Sequence, residues 1–195
     1  MRQGVDAMIK GAIETHKAMV AALEGEGVAR IAAGAEMIIE CLENGGTLYI
    51  CGNGGSAADS QHIAAELVGR FARERKGLRA VALTTDSSAL TSISNDYGFE
   101  NVFARQVEGL VRDGDVLWAI STSGGSANVV AAAQLAKEMG AKVLGFTGRR
   151  PSILEEISDV CFCAADESTA RSQEMHTLAY HIICDIVEER FAGRR

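Results

Sequence analysis

The tetrapeptide Gly-Gly-Ser-Ala occurs twice in this chain, at 54–57 and again 70 residues later at 124–127. The first copy follows the apolar run Leu48-Tyr49-Ile50-Cys51, the second Val116-Leu117-Trp118-Ala119-Ile120, and each precedes an Ala-rich stretch with helical spacing. A strand that ends in a glycine turn and reopens as a helix belongs to α/β architecture, where it grips phosphate. The first N–H groups of a helix have no intrahelical partner, and the aligned peptide dipoles put partial positive charge there. Glycine lets the backbone come close to a ligand, and Ser56 and Ser126 can cap their helices or donate to phosphate oxygens. The second loop, Ser121-Thr122-Ser123-Gly124-Gly125-Ser126, offers four hydroxyls in six residues. Neither loop holds a lysine or matches GxxxxGK[ST], and the dinucleotide fingerprint GxGxxG is absent, although Gly52-Asn53-Gly54-Gly55 comes near it. Two serine-capped tight turns are the plain alternative.

The rest of the chain supports the α/β reading. Apolar runs at about 47–51, 79–83, 116–120, 142–147 and 159–164 alternate with helical patterns at 56–71, 87–111, 126–139 and 169–192. Short buried strands alternating with helices predict a three-layer αβα fold with a five-stranded parallel sheet. In such sheets ligands sit beyond the strands' carboxyl ends, where both glycine loops fall. Residues 1–43 read as two helices parted at Gly25-Glu-Gly27, and Asn44-Gly45-Gly46 stops the second. With one proline and no linker-like tract, 1–195 reads as a single domain carrying an N-terminal helical extension. Met and Ile on one face of the first helix predict packing against another subunit; a helix of the chain's own core is the alternative.

Composition excludes several classes. A net charge of −7 and a pI near 5.1 argue against a nucleic-acid partner, which needs a basic surface. No run approaches the roughly 20 residues of a membrane span, and the charged N-terminus is unlike a signal peptide. Five cysteines without a CxxC pair read as reduced, buried thiols of a cytoplasmic protein.

Three groups of side chains could carry chemistry. On the helix after the first loop, His62 and Glu66 are four apart and share a face, which suits a divalent metal or a proton-transferring pair as well as a simple surface contact. The last helix brings Gln173, His176 and His181. Gln173 and His181 are about 12 Å apart along a helix axis, so they meet one ligand only at a frayed helix start or from different subunits. A hydrogen-bonded core histidine is an equal alternative for His181. Asn95 and Asp96, before Tyr97-Gly98, suit sugar hydroxyls, although turns and caps also use such residues.

Together these segments resemble the sugar isomerase (SIS) domain and, within it, the phosphoheptose isomerases. The resemblance covers nearly the whole chain and is carried by Cys51-Gly-Asn-Gly-Gly-Ser56-Ala-Ala-Asp-Ser-Gln-His62-Ile-Ala-Ala-Glu66-Leu, Ser94-Asn95-Asp96-Tyr97-Gly98-Phe99, Ser121-Thr-Ser-Gly-Gly-Ser126-Ala-Asn128, and Gln173-Glu-Met-His176 with His181. It implies a flavodoxin-like sheet, a homotetramer with active sites at subunit interfaces, and conversion of D-sedoheptulose 7-phosphate to D-glycero-D-manno-heptose 7-phosphate, which feeds nucleotide-activated heptose synthesis for surface glycans. By the same resemblance Asn53, Gly54, Gly55, Ser56, Ser121, Thr122, Ser123 and Ser126 hold substrate, chiefly its phosphate, and Asn95, Asp96 and Gln173 contact it further. Glu66, itself a substrate contact, and His181 are the acid–base pair, and His62, Glu66, Gln173 and His181 match the Zn²⁺ ligand positions of zinc-bearing members. The competing reading is a non-catalytic phosphosugar-binding or replication-initiator-binding relative; the initiator-binding ones lack the acid and final histidine that stand here as Glu66 and His181.

Overall fold

The computed structural model describes residues 2–164, 166 and 168–193. Its strands are β1 (Leu48–Gly52), β2 (Ala80–Ala82), β3 (Val116–Ser121), β4 (Lys142–Thr147) and β5 (Val160–Cys163). All pair in parallel in the order β2-β1-β3-β4-β5. The helices are α1 (Arg2–Ala22), α2 (Val28–Glu43), α3 (Gly55–Val68), α4 (Ser87–Tyr97), α5 (Ala104–Leu110), α6 (Ala127–Glu138), α7 (Ile153–Ile157) and α8 (Thr169–Phe191).

Strand alternation divides the core in two. Leu48, Ile50, Trp118, Ile120, Phe146 and Phe162 face one side with Ile38 of α2, Ile63 and Leu67 of α3, and Met175 and Ile183 of α8. Tyr49, Cys51, Leu117, Ala119 and Val143 face the other with Val107 of α5, Val129 and Ala133 of α6, and Leu154 of α7. The three-layer, five-stranded expectation holds. It also fixes what lies above the sheet: α3 and α8 share one face and start at its carboxyl end, beside the loop into α6.

Helix bounds differ from the periodicity in three places. The 87–111 pattern is two helices, because Gly98 adopts φ +86 and stops α4 before a single 3₁₀ turn, Phe99–Asn101. The 56–71 pattern ends at Val68, and the chain then crosses to β2 in an irregular segment. The short α7 was not expected at all; its start is the box Ser152-Ile-Leu-Glu155, in which Ser152 accepts from the Glu155 N–H at 3.3 Å.

The N-terminal helices break where expected, at Gly25, whose φ/ψ is −96/−111. Helix α1 touches the core only near its end, through Met19. It lies on α8 through His16 Nδ1 to Glu174 Oε2 (2.9 Å) and Arg171 to the Ala12 carbonyl (3.3 Å), and it leaves Met8 77% exposed, with Val5, Ile9 and Ile13 exposed beside it.

The core histidine is His176, not His181. It is fully buried, and its Nε2–H donates to the Thr147 carbonyl at 3.0 Å. Burial, only partly offset by that bond, lowers its pKa from 6.5 to about 4. Below pH 6.5 the unfolded chain therefore takes up a proton that the folded chain refuses, so stability falls as pH falls from 6.5 to 4. The loss is on the order of 3 kcal/mol. Urea denaturation at pH 7 and pH 4 should show this drop in the wild type and a clearly flatter dependence in His176→Gln; equal slopes would contradict it.

Candidate active site

The two glycine loops meet over the carboxyl ends of β1 and β3. Gly54 caps α3 at φ +55, ψ −119, a backbone region closed to side-chain-bearing residues. Ser56 is therefore not the cap, contrary to the sequence expectation; it is buried within the first turn, its carbonyl accepting from Ser60 Oγ at 2.8 Å. Ser126 does occupy the α6 cap position but makes no side-chain capping bond. Its hydroxyl lies 2.9 Å from Ser121 Oγ, which is 3.3 Å from Ser123 Oγ.

Asn53, Gly54, Gly55, Ser56, Ser121, Thr122 and Ser126 line a cavity of about 280 Å³ together with Ile120, Thr169 and Gln173. Among the described residues no lysine or arginine lines it. An anion there would meet hydroxyls and the N-terminal ends of three helices, since Thr169 opens α8 as Gly55 opens α3 and Ala127 opens α6. The third helix end had no glycine motif to announce it. Ser123 is exposed outside this lining, and its Oγ accepts from the Gly125 N–H at 3.2 Å. Asn95 and Asp96 also fall outside it, exposed on the last turn of α4 and bonded to each other at 2.8 Å.

Helices α3 and α8 run in the same direction side by side. The Gln173 amide lies over Gly55, where a Cβ would come within 2.5 Å of it. Two turns further on, Tyr180 and His181 reach His62, and beyond them Glu188 reaches the backbone at Phe71. In the middle of this seam Glu66 Oε1 lies 2.9 Å from His62 Nε2. The His181 ring stands edge-on to His62 at 5.1 Å, and candidate ligand atoms of His62, Glu66 and His181 lie within 4.8 Å of one another. The i,i+4 spacing of His62 and Glu66 is thus met across the helix gap by an imidazole more than a hundred residues away. Gln173 is not in this cluster; it sits two turns up α8, in the glycine-loop cavity.

Two groups that no sequence pattern singles out complete the cluster. The Tyr180 hydroxyl lies 3.0 Å from His62 Nδ1 and fixes that ring from behind. Asp59 follows one turn before His62; burial raises its pKa, against His62 and Tyr180, which favour its charged form. Burial, reinforced by His62 and opposed by Glu66, lowers the pKa of His181. Below its ordinary 6.5, that ring is neutral at pH 7 and free to accept a proton or bind a cation.

Comparison with known proteins shows the family. Residues 13–148 match the SIS domain family. The phosphoheptose isomerase of Geotalea daltonii is 49% identical over 187 residues, spanning 96% of this chain and 97% of that protein. That of Helicobacter pylori (strain ATCC 700392 / 26695) is 50% identical over 191 residues, 97% of this chain and 99% of that one. The chain belongs to the phosphoheptose isomerase family. A solved phosphoheptose isomerase from Neisseria gonorrhoeae superposes with a TM-score of 0.85 at 43% identity, covering 96% of this chain and 98% of that one.

Proposed function

We propose that this chain interconverts D-sedoheptulose 7-phosphate and D-glycero-D-manno-heptose 7-phosphate through an enediol. The observation that carries the reading is the seam between α3 and α8, with an anion cavity at its head and Glu66, His62 and His181 two to three turns down. Ser56 and Glu66 are ten residues apart, about 15 Å along the helix axis. Side chains on a helix lean toward its N-terminus, which shortens that gap for Glu66. A sugar phosphate bridging the two ends must be extended, which suits a long open chain.

The chemistry follows from the side chains. The cavity hydroxyls and helix ends anchor the phosphate and leave C1 and C2 beside Glu66. The Glu66 carboxylate removes the C1 proton and returns it at C2. Neutral His181 passes the proton between the O1 and O2 hydroxyls, and Gln173, at the head of the seam, donates to a chain hydroxyl. Asn95 and Asp96 belong to the same reading as sugar contacts made once subunits assemble. The non-catalytic alternative is not favoured: the acid and final histidine that the initiator-binding relatives lack are both here and adjacent.

Zinc belongs to this reading. Two imidazole nitrogens and a carboxylate are a common zinc donor set, and ligand atoms in a tetrahedral site stand about 3.4 Å apart. The three groups need only small rotations to reach that spacing from within 4.8 Å. His62, Glu66 and His181 would hold the ion, with Gln173 as the fourth ligand if its side chain swings down the seam; when bound, it polarises the substrate carbonyl. Stripping metal with a chelator should lower turnover, and zinc should restore it. Titration calorimetry should find one site per chain, lost in His62→Ala; full activity and no zinc uptake would refute this.

A homotetramer with interfacial sites also belongs to the reading, supported by the uncovered Met8, Ile9 and Ile13 on α1 and Ile182 and Ile186 next to His181. So does a cytoplasmic setting, consistent with free cysteines and with no helix among the described residues long and apolar enough to cross a membrane. The deciding experiment is incubation with sedoheptulose 7-phosphate followed by NMR. Appearance of an aldoheptose phosphate supports the reading, and unchanged substrate at high enzyme overturns it.

A further inference from the structure

The two glycine loops are tied together by one pair of side chains. Asn53 of the first loop donates from Nδ2 to Asn128 Oδ1 at 2.8 Å, and Asn128, in the first turn of α6, donates from Nδ2 to Asn53 Oδ1 at 2.9 Å. Asn128 is 3% exposed. Its orientation is fixed independently, because the Val129 N–H donates to Asn128 Oδ1 at 3.0 Å; with that oxygen assigned, the amide of Asn53 can face it in only one way. The cyclic pair uses the Asn53 oxygen and one of its two N–H bonds. The second N–H remains, and its direction is set by the plane of the pair.

We propose that Asn128 is a positioning residue for phosphate binding: it holds the first and second loops at one separation and aims the remaining Asn53 N–H into the cavity. This rests on the reading that the cavity takes the sugar's phosphate. The alternative, that Asn128 only starts α6, is weakened by the backbone. The Val129 N–H also bonds the Ser126 carbonyl at 3.0 Å and the Val130 N–H does so at 2.9 Å, so the helix start does not depend on the side chain. The pair joins residues 75 positions apart on two different strand–helix turns, which a local capping role does not require. Asn128 touches no reacting atom in this scheme; it acts through Asn53.

The test is Asn128→Leu, close in shape and unable to pair. KM for sedoheptulose 7-phosphate should rise about tenfold, as expected for losing a buried amide pair, with kcat within about threefold and inorganic phosphate binding weakened in parallel. Unchanged KM and phosphate affinity in a folded variant would overturn the proposal, as would a fall in kcat alone. If the variant does not fold, the wild type decides. Its ¹⁵N-labelled Asn53 side-chain amide should show one proton protected from exchange and the other shifting on addition of inorganic phosphate. Two freely exchanging protons, or no phosphate response at Asn53 while other cavity amides respond, would overturn it. A wild-type cavity that ignores phosphate altogether would overturn the reading beneath it as well.

Discussion

Glu66→Gln abolishes isomerisation, lowering kcat by about 10³- to 10⁴-fold, while inorganic phosphate still binds and the fold survives. The amide keeps the size of the carboxylate and can still hydrogen-bond to His62 Nε2, which now lies 2.9 Å from Glu66 Oε1. What it loses is the capacity to take a proton. General base catalysis contributes about 10²- to 10⁴-fold, and here the same carboxylate must both remove and return the proton, so the upper end is expected. Glu66 is a part-exposed group on the seam, not a core side chain, so thermal stability should change by less than about 1 kcal/mol. Steady-state kinetics and a phosphate titration check both halves. Activity within tenfold of wild type would remove Glu66 from the role of base.

Glu188→Ala unfolds the chain at markedly lower denaturant, costing about 3–5 kcal/mol. Glu188 is fully buried on α8 and accepts the backbone N–H groups of Phe71 (2.8 Å), Ala72 (2.6 Å) and Arg73 (2.6 Å). Its nearer side-chain partner is Arg75, whose Nε is 3.3 Å away and whose side chain is equally buried; Arg73 stands at 4.0 Å. Burial alone would raise the pKa of this carboxyl, but the three N–H groups and Arg75 outweigh it and hold the pKa below the usual range. Arg75 in turn donates to the carbonyls of Glu66 (2.7 Å), Leu67 (2.8 Å) and Gly69 (3.0 Å) at the end of α3. Removing the carboxylate leaves an uncompensated buried guanidinium and three unmet N–H groups. The damage should reach the site, because this segment sets Phe71 at 5.7 Å from the His181 ring. Glu188→Gln, which keeps an acceptor, should cost less. Urea melts of both variants test the ranking; a loss below 1 kcal/mol in Glu188→Ala would contradict it.

The strands and glycine loops were legible because their signals are local. An apolar run, a glycine turn and a change of period from two to 3.6 lie within a dozen residues. The exact cap was not, since Gly54 and Ser56 both suit a helix start and only the φ of Gly54 separates them. Which histidine enters the core was also undecided. His176 and His181 are five residues apart, about 140° around a helix, and the sequence does not say which face meets the sheet. Once Met175, Ala179 and Ile183 are seen to pack on it, His176 goes inward to Thr147 and His181 is left for the seam. Tyr180, Thr169 and the Glu188–Arg75 pair were invisible for another reason. Their neighbours lie on other strand–helix units far along the chain, and nothing in the spacing of α8 registers it against α3. The exposed row on α1 was read as an interface from its pattern, and the structure leaves that row uncovered.

The most direct test is a structure of Glu66→Gln with sedoheptulose 7-phosphate trapped in it. The phosphate should lie against Ser121, Thr122, Ser126 and the start of α3, with C1 and C2 beside residue 66 and the His181 ring. A phosphate bound elsewhere, or a sugar whose first two carbons lie out of reach of both side chains, would contradict it.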